Sequence, residues 1–152
     1  MHQASSFCNL AVFTAGTEDY AKVLLDKLDP CGRMSLRLYR DSCSIVDGLF
    51  LKDLRQVGQD LSRVVLVDNS PVSLLINPDN SILVSSFYAN PDDTALGQLL
   101  PVLRKLHHTG DVREALGQEF QLREALEQSG WDLEYIRSKH EAQLAVQQIA
   151  AG

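Results

Sequence analysis

The sequence of 152 residues lacks the features that mark several large classes of protein. It has no apolar run long enough to cross a bilayer and no long basic run. The formal net charge of −6 argues against sequence-independent binding of nucleic acid, which needs a basic face. The three cysteines have no C-x-x-C spacing, so a disulfide framework or a zinc site is a poor interpretation. Reduced thiols in an intracellular protein fit better.

Short apolar runs alternate with helical patterns along the chain. The predicted strands cover residues 9–14, 64–67 and 82–84, and a hairpin is predicted to turn at Asp47-Gly48. The predicted helices cover residues 17–29, 94–106, 111–126 and 132–151, with a kink or a break at Pro101 in the second. This alternation indicates an α/β fold with a mostly parallel sheet. We expect a domain at residues 1–128 and a helical tail at 129–152.

Polar residues at the ends of two predicted strands are candidates for a binding site. In α/β sheets, ligands bind beyond the carboxyl ends of the strands. Thr14 precedes Gly16 and a helix start, a good place to hold a phosphate, although the hydroxyl could simply satisfy the turn. Asp68 and Asn69 could supply oxygen ligands to Mg²⁺, although Asp-Asn-Ser-Pro is also rich in turn formers.

A lysine follows the apolar run Leu49-Phe50-Leu51 of the predicted hairpin. Lys52 could face the same strand ends and neutralise charge on a phosphoryl group, but a lone lysine is usually a solvated surface residue. Asp53 is predicted to cap the next helical turn rather than to act as a base. The four histidines show no metal-ligand spacing, so structural roles are predicted for them.

Several of these segments, in this order, resemble the small C-terminal-domain phosphatases, the NLI-interacting-factor-like group. The resemblance covers about residues 8–126. Its segments are 12–17 (VFTAGT), 20–21, 24–30, 37–43, 48–54 with the lysine motif, 58–63, 67–71 (VDNSP), 99–101 and 111–113. Several motifs in the right order are more specific than any one of them.

The resemblance implies a haloacid-dehalogenase-like three-layer fold with a mostly parallel sheet and a small β-hairpin insertion. It also implies Mg²⁺-dependent removal of phosphate from phosphoserine, typically in the tail of RNA polymerase II. By the same resemblance, Thr14 binds the phosphate, Lys52 stabilises it, and Asn69 ligates the metal. Asp68 lies beside the metal and helps to orient Lys52.

The sequence departs from the family at one point. The family's chemistry begins at a D-x-D-x-[TV] motif on the first strand, whose first aspartate attacks phosphorus and whose second works as acid and base. This sequence has no two aspartates separated by one residue, and it lacks the strand that should carry them. We therefore expect an N-terminally truncated phosphatase domain that is inactive as this chain. By the same resemblance, Mg²⁺ is the cofactor of the complete family domain.

Two other functions stay open at this stage. A non-catalytic module could keep the phosphate-facing residues and bind a phosphorylated peptide or protein. The other open function is that of the mitochondrial import receptor that shares this fold. The Asp68-Asn69-Ser70 run, which resembles the phosphatases more, and the absence of a transit peptide argue against that function. The expected partner is a phosphorylated protein or peptide, with no direct nucleic-acid binding and no membrane segment. The expected location is intracellular, in the nucleus or cytoplasm rather than the mitochondrion.

Overall fold

The chain forms a mixed arrangement of short strands and helices in the computed structural model, which describes residues 2–151. The strands are β1 (Leu10–Phe13), β2 (Met34–Leu38), β3 (Ser44–Val46), β4 (Leu49–Leu51), β5 (Leu66–Asp68) and β6 (Ser81–Leu83). The helices are α1 (Glu18–Leu28), α2 (Ala95–His107), α3 (Val112–Phe120), α4 (Leu122–Gln128) and α5 (Leu133–Ala151). None of these described helices is both long and apolar enough to cross a membrane. The predicted α/β class is confirmed.

The strands pair in three separate sheets of two strands each. β1 pairs with β2 in parallel, with α1 as the crossover, and β5 pairs with β6 in parallel. β3 and β4 form the predicted hairpin, in which Asp47 and Gly48 have φ of 50° and 81°. Two successive positive φ angles are what a two-residue hairpin turn requires. Within the described residues, β1 and β5 each pair on one edge only.

Two groups of buried apolar side chains form the core. The larger, core cluster 1, contains Val46, Leu51, Leu54, Leu66, Leu74, Leu75, Ile76, Leu122, Leu126, Leu133 and Ile136. The smaller, core cluster 2, contains Ile82, Leu99, Leu106, Val112 and Leu116. Among residues 2–151, neither cluster includes a residue that precedes Val46. The core therefore lies under the hairpin, β5, β6 and the helices that follow them.

The N-terminal strand and helix are less buried than the apolar pattern suggests. An apolar run such as residues 9–14 is typical of a buried parallel strand; β1 is parallel, but Ala11 is exposed and the other residues of the strand are half-buried. In α1, Ala21 and Leu25 are buried, whereas Tyr20, Leu24 and Leu28 are exposed. A helix that covers a sheet of two strands finds too little apolar surface to bury its whole stripe.

The helices after β6 differ from the prediction in two places. The predicted helix at 111–126 is two helices, because Gln121 adopts a left-handed conformation with φ of 48°. That change of direction lets Leu116 pack into core cluster 2 and Leu122 into core cluster 1. Helix α2 continues through Pro101 without the predicted break, and Leu99 and Leu106 are buried on either side of that proline.

Candidate functional site

Lys52 lies where the carboxyl ends of both parallel strand pairs meet. Its Nζ donates a hydrogen bond to Oδ2 of Asp68, the last residue of β5. The same nitrogen lies 5.9 Å from the ring centroid of Phe13, the last residue of β1. Thr14 follows Phe13 directly, so the backbone that carries the phosphate-binding candidate ends at the same edge as Lys52 and Asp68.

The contacts of Lys52 explain why a lysine can be buried here. Lys52 follows β4 directly, and its amide donates to the carbonyl of Ser73 over 3.4 Å. The side chain is only 7% exposed, and its ammonium is paired with a carboxylate that is 9% exposed. A buried charge is tolerated when it is paired in this way. Lys52 is thus not a solvated surface lysine, whatever its chemical role.

Thr14 closes a tight turn between β1 and α1. Its amide donates to the carbonyl of Leu38, which extends the pairing with β2, and its Oγ1 accepts from the amide of Gly16 over 3.0 Å. The hydroxyl hydrogen is not used by that bond and can be donated to a ligand. A Cβ at position 16 would lie 3.3 Å from Thr14 Oγ1, so a side chain there would crowd the hydroxyl.

Cys43 lies beside Thr14, which the sequence did not indicate. Its Sγ is 4.0 Å from the carbonyl oxygen of Thr14 and 3.9 Å from that of Tyr39. Burial raises the pKa of the Cys43 thiol above its ordinary value, and the positive charges of Lys52 and Arg40 only partly oppose this effect. The thiol is therefore protonated at neutral pH, which does not suit a nucleophile.

Asp68 is the last residue of β5 and Asn69 follows it, so both lie at the end of a strand, as predicted. Both carboxylate oxygens of Asp68 are engaged, Oδ2 by Lys52 and Oδ1 by the amide of Ser70 over 2.8 Å. The exposed Asn69 donates from Nδ2 to Ser86 Oγ over 2.9 Å, which leaves its amide oxygen as a free acceptor.

These donors do not make a magnesium site by themselves. Mg²⁺ prefers six oxygen ligands, usually with one or two carboxylates among them. The only carboxylate in the turn, that of Asp68, is already neutralised by Lys52. Across residues 2–151, no cluster of three or more histidine, cysteine, aspartate or glutamate side chains could hold a metal ion. The predicted metal roles of Asp68 and Asn69 stay predictions.

Asp53 joins the segment that carries Lys52, which follows β4, to α5. As predicted, it caps the turn that follows, because its Oδ1 accepts from the amide of Arg55 over 2.9 Å. The guanidinium of Arg55 and Nε2 of His140 also bind this carboxylate, the latter at 2.8 Å from Oδ2. Burial alone would raise the pKa of Asp53, but the bonds from Arg55 and His140 outweigh it and hold the pKa below its usual value.

His140 is the residue that sequence reasoning missed. The sequence predicts only a structural role for it, without a partner, yet it is 1% exposed and contacts Asp53, the residue next to Lys52. The spacing of Leu133, Ile136 and His140 could have indicated this, since positions i, i+3 and i+7 share one face of a helix. Leu133 and Ile136 belong to core cluster 1, so α5 packs on the core with that face.

The family profile for NLI interacting factor-like phosphatases matches residues 1–113. Among curated proteins, the chain is 41% identical over 129 residues to CTD small phosphatase-like protein 2 of Dictyostelium discoideum, covering 85% of this chain and 23% of that protein. It is 45% identical over 113 residues to CTD nuclear envelope phosphatase 1 of Xenopus tropicalis, covering 74% of this chain and 46% of that protein.

A third relative is Carboxy-terminal domain RNA polymerase II polypeptide A small phosphatase 2 of Mus musculus, 41% identical over 107 residues, covering 70% of this chain and 40% of that protein. The chain thus spans less than half the length of each of these relatives. The profile covers about three quarters of the chain, and the motifs around Thr14, Lys52 and Asp68 lie inside it. The chain belongs to the NLI interacting factor-like phosphatase family.

Proposed function

We propose that this chain forms part of a protein phosphatase domain that removes phosphate from phosphoserine. The observation that carries the proposal is the buried Lys52 ammonium at the meeting point of the two parallel strand pairs. A positive charge fixed in a partly dry site stabilises phosphoryl charge far better than a solvated lysine does. Family membership supports the same chemistry.

The three site residues divide the binding of a phosphate among them. Lys52 has three N–H donors, of which Asp68 takes one, so the others can reach phosphate oxygens. Thr14 donates its free hydroxyl hydrogen from the turn before α1. Asp68 holds the lysine side chain in place, which makes its carboxylate a positioning group rather than a nucleophile.

The separation of the two strand pairs suits a haloacid-dehalogenase-like fold. A parallel strand placed between β1 and β5 would use the unpaired edge of each and join the two pairs into one sheet. The carboxyl end of such a strand would lie beside Lys52. In this proposal, that strand carries the D-x-D-x-[TV] motif, and its aspartates supply the nucleophile and the acid–base group.

The 152 residues alone are proposed to hydrolyse nothing. The sequence has no D-x-D motif, Asp68 is engaged by Lys52, and the Cys43 thiol is protonated. We do not propose Mg²⁺ binding by these residues by themselves, since a carboxylate besides Asp68 would be needed. The substrate proposed for the complete domain is a phosphoserine-containing protein tail, such as that of RNA polymerase II, in the nucleus or cytoplasm.

The test is a fusion that adds a strand with a D-x-D-x-[TV] motif ahead of residue 9. We expect the unmodified chain to release no phosphate from a phosphoserine peptide, and the fusion to release it in the presence of Mg²⁺. Thr14→Val and replacement of the first added aspartate by Asn should each abolish the gain. Hydrolysis by the unmodified chain, or a folded fusion without activity, would contradict the proposal.

Binding of a phosphopeptide without cleavage is the second candidate function. The intact Thr14 turn and Lys52–Asp68 pair favour it, because both can hold a phosphate without a nucleophile. Titration of the chain with a phosphoserine peptide and its unphosphorylated form tests it. Tighter binding of the phosphorylated form, lost in Thr14→Val, would support this function, whereas equal affinity for both peptides would eliminate it.

A further inference from the structure

Asp53 and Lys52 are adjacent in the chain but face opposite sides of it. The backbone at Asp53 is extended, with φ of −87° and ψ of 114°, and successive side chains of an extended segment point to opposite sides. Lys52 therefore reaches the strand ends, while Asp53 reaches α5. The backbone at Asp53 thus links a carboxylate bound to α5 with the lysine of the site.

The Asp53 carboxylate is held by groups from two elements. Arg55 lies on the same short turn, and its guanidinium is 43% exposed, so water competes for that contact. His140 comes from α5, and its side chain is 2% exposed. Because Asp53 is ionised at neutral pH, the imidazole donates its Nε2–H to the carboxylate. The bond from His140 is the better shielded of the two contacts.

A buried imidazole is less favourable for stability than an apolar side chain in a residue that only packs. Its Nδ1 is buried and has no hydrogen-bond partner within the described residues. An unpaired buried polar atom costs free energy, and an apolar side chain of similar size would avoid that cost. A residue whose only role was to dock α5 would therefore be apolar, like Leu133 and Ile136.

A second contact ties α5 to the other end of the same segment. The hydroxyl of Tyr135 donates to Oδ2 of Asp47, at the hairpin turn, over 2.9 Å. Asp47 and Asp53 flank β4 and Lys52. Helix α5 thus binds the segment that carries Lys52 at both ends. Helix α5 also lies beyond the region that the family profile matches.

We infer that His140 is a positioning residue, which fixes Asp53 and through it holds the Lys52 ammonium against Asp68. Helix α5 is accordingly a support for the phosphate site. The inference rests on the proposed function only in giving Lys52 a role in phosphate binding. The geometry of the lysine can be measured without any substrate.

The test uses NMR of the whole chain labelled with ¹⁵N. An ammonium held in a buried ion pair exchanges its hydrogens slowly and gives its own ¹H–¹⁵N signal at low temperature and mildly acidic pH. The Lys52 signal is identified by its absence in Lys52→Arg. We expect the signal in the wild type and in His140→Gln, whose amide can still donate to Asp53. We expect its loss in His140→Leu.

Two further variants separate positioning from packing. Leu133→Ala weakens the same helix in the same core without touching Asp53, and should keep the signal. Asp53→Asn keeps the shape of the side chain but weakens the bond to His140, and should lose it. A signal that persists in His140→Leu, that is lost equally in Leu133→Ala, or that is lost in His140→Gln would each overturn the inference.

Phosphopeptide titration of the same variants keeps this inference separate from the proposed function. If the signal responds as expected and no form binds phosphopeptide, the binding function fails and the positioning role stands. If the wild type binds and His140→Leu binds as tightly with an unchanged signal, the positioning role fails and the binding function stands. Circular dichroism establishes that each variant is folded before either measurement is interpreted.

Discussion

Two regions of the molecule each carry part of the candidate site, but they are packed very differently. The N-terminal unit, β1 with α1 and β2 (residues 10–38), holds Thr14 next to its first strand. It contributes Ala21 and Leu25 to the buried apolar set and nothing to either core cluster. The packed body, residues 44–140, holds Lys52, Asp68 and both core clusters. Lys52 therefore lies in the region with a packed apolar core, whereas Thr14 lies in a region without one.

The difference follows from the pairing of the strands. The N-terminal unit is a sheet of two strands covered by one helix, with Tyr20 and Val23 of that helix 73% and 60% exposed. A sheet of two strands is marginal on its own, because it buries too little to offset the entropy of ordering. The body instead places a hairpin and a parallel pair among four helices. A site divided in this way depends on contacts between regions.

The largest expected difference between the regions concerns the two site residues themselves. Lys52→Met leaves the Asp68 carboxylate buried without its partner, a change that typically costs about 3–5 kcal/mol. Thr14→Val removes one hydrogen bond in a half-buried turn and should cost about 1 kcal/mol. Urea unfolding measures both. Adding Asp68→Asn to Lys52→Met should restore part of the loss; no recovery would argue against the pair as the cause.

Truncating one leucine in each region gives the next contrast. Leu74 is fully buried in core cluster 1, so Leu74→Ala should lower the free energy of unfolding by about 2–5 kcal/mol. Leu25 lies outside both clusters, and the region around it can collapse, so Leu25→Ala should cost less than about 2 kcal/mol. Equal losses in thermal or urea unfolding would show that α1 packs as tightly as the body.

Hydrogen exchange compares the regions without mutation. Amides of β1 and α1 should exchange through local openings, at rates well above those of β4 and β6, which border the core. Limited proteolysis should accordingly cut first within residues 10–38. Uniform protection across β1, β4 and β6 would mean that the chain opens only as a whole.

The smallest expected effect is a dependence on pH carried by one aspartate in each region. Backbone amides of Met34 and Arg33 bind the carboxylate of Asp29 and hold its pKa below the ordinary value. The pKa of Asp53 is also below its ordinary value, because the bonds from Arg55 and His140 outweigh the effect of burial. A lowered pKa stabilises the fold above the unfolded pKa near 3.8, and this contribution disappears as pH falls through the folded pKa.

The stability of the wild type relative to Asp29→Asn and to Asp53→Asn should therefore shrink as pH falls below about 4. The loss should be larger for Asp53, because its carboxylate binds the side chains of Arg55 and, from α5, His140, whereas Asp29 accepts its hydrogen bonds from backbone amides. Urea midpoints measured between neutral and acidic pH supply the check. A difference that stays constant across this range would exclude both carboxylates as the acid-sensitive groups.

Much of the site could be predicted from the sequence because it consists of local signals. A polar residue at the end of an apolar run lies at the end of a strand, and this rule identifies Thr14, Asp68 and Asn69 from the sequence. The cap formed by Asp53 follows in the same way from the turn after Lys52. The family membership that these motifs predicted is confirmed. The catalytic and metal roles of the individual residues stay predictions.

Other features depended on contacts between residues far apart in the sequence. Whether Lys52 was solvated or buried turned on a partner 16 positions away, and the role of His140 turned on one 87 positions away. The break at Gln121 arises because neighbouring leucines pack into different clusters, which helical periodicity cannot anticipate.

The sequence by itself determined three of the strands, the hairpin turn, the family and the absence of a D-x-D motif, since each of these depends on residues close together along the chain. Only the tertiary structure decided which strand edges stay unpaired, that Lys52 is held by Asp68, and that α5 supports the lysine segment through His140. The physical reason is that burial and ion pairing depend on how separate helices, strands and turns pack against one another. Their free energies depend on distances that no local pattern specifies.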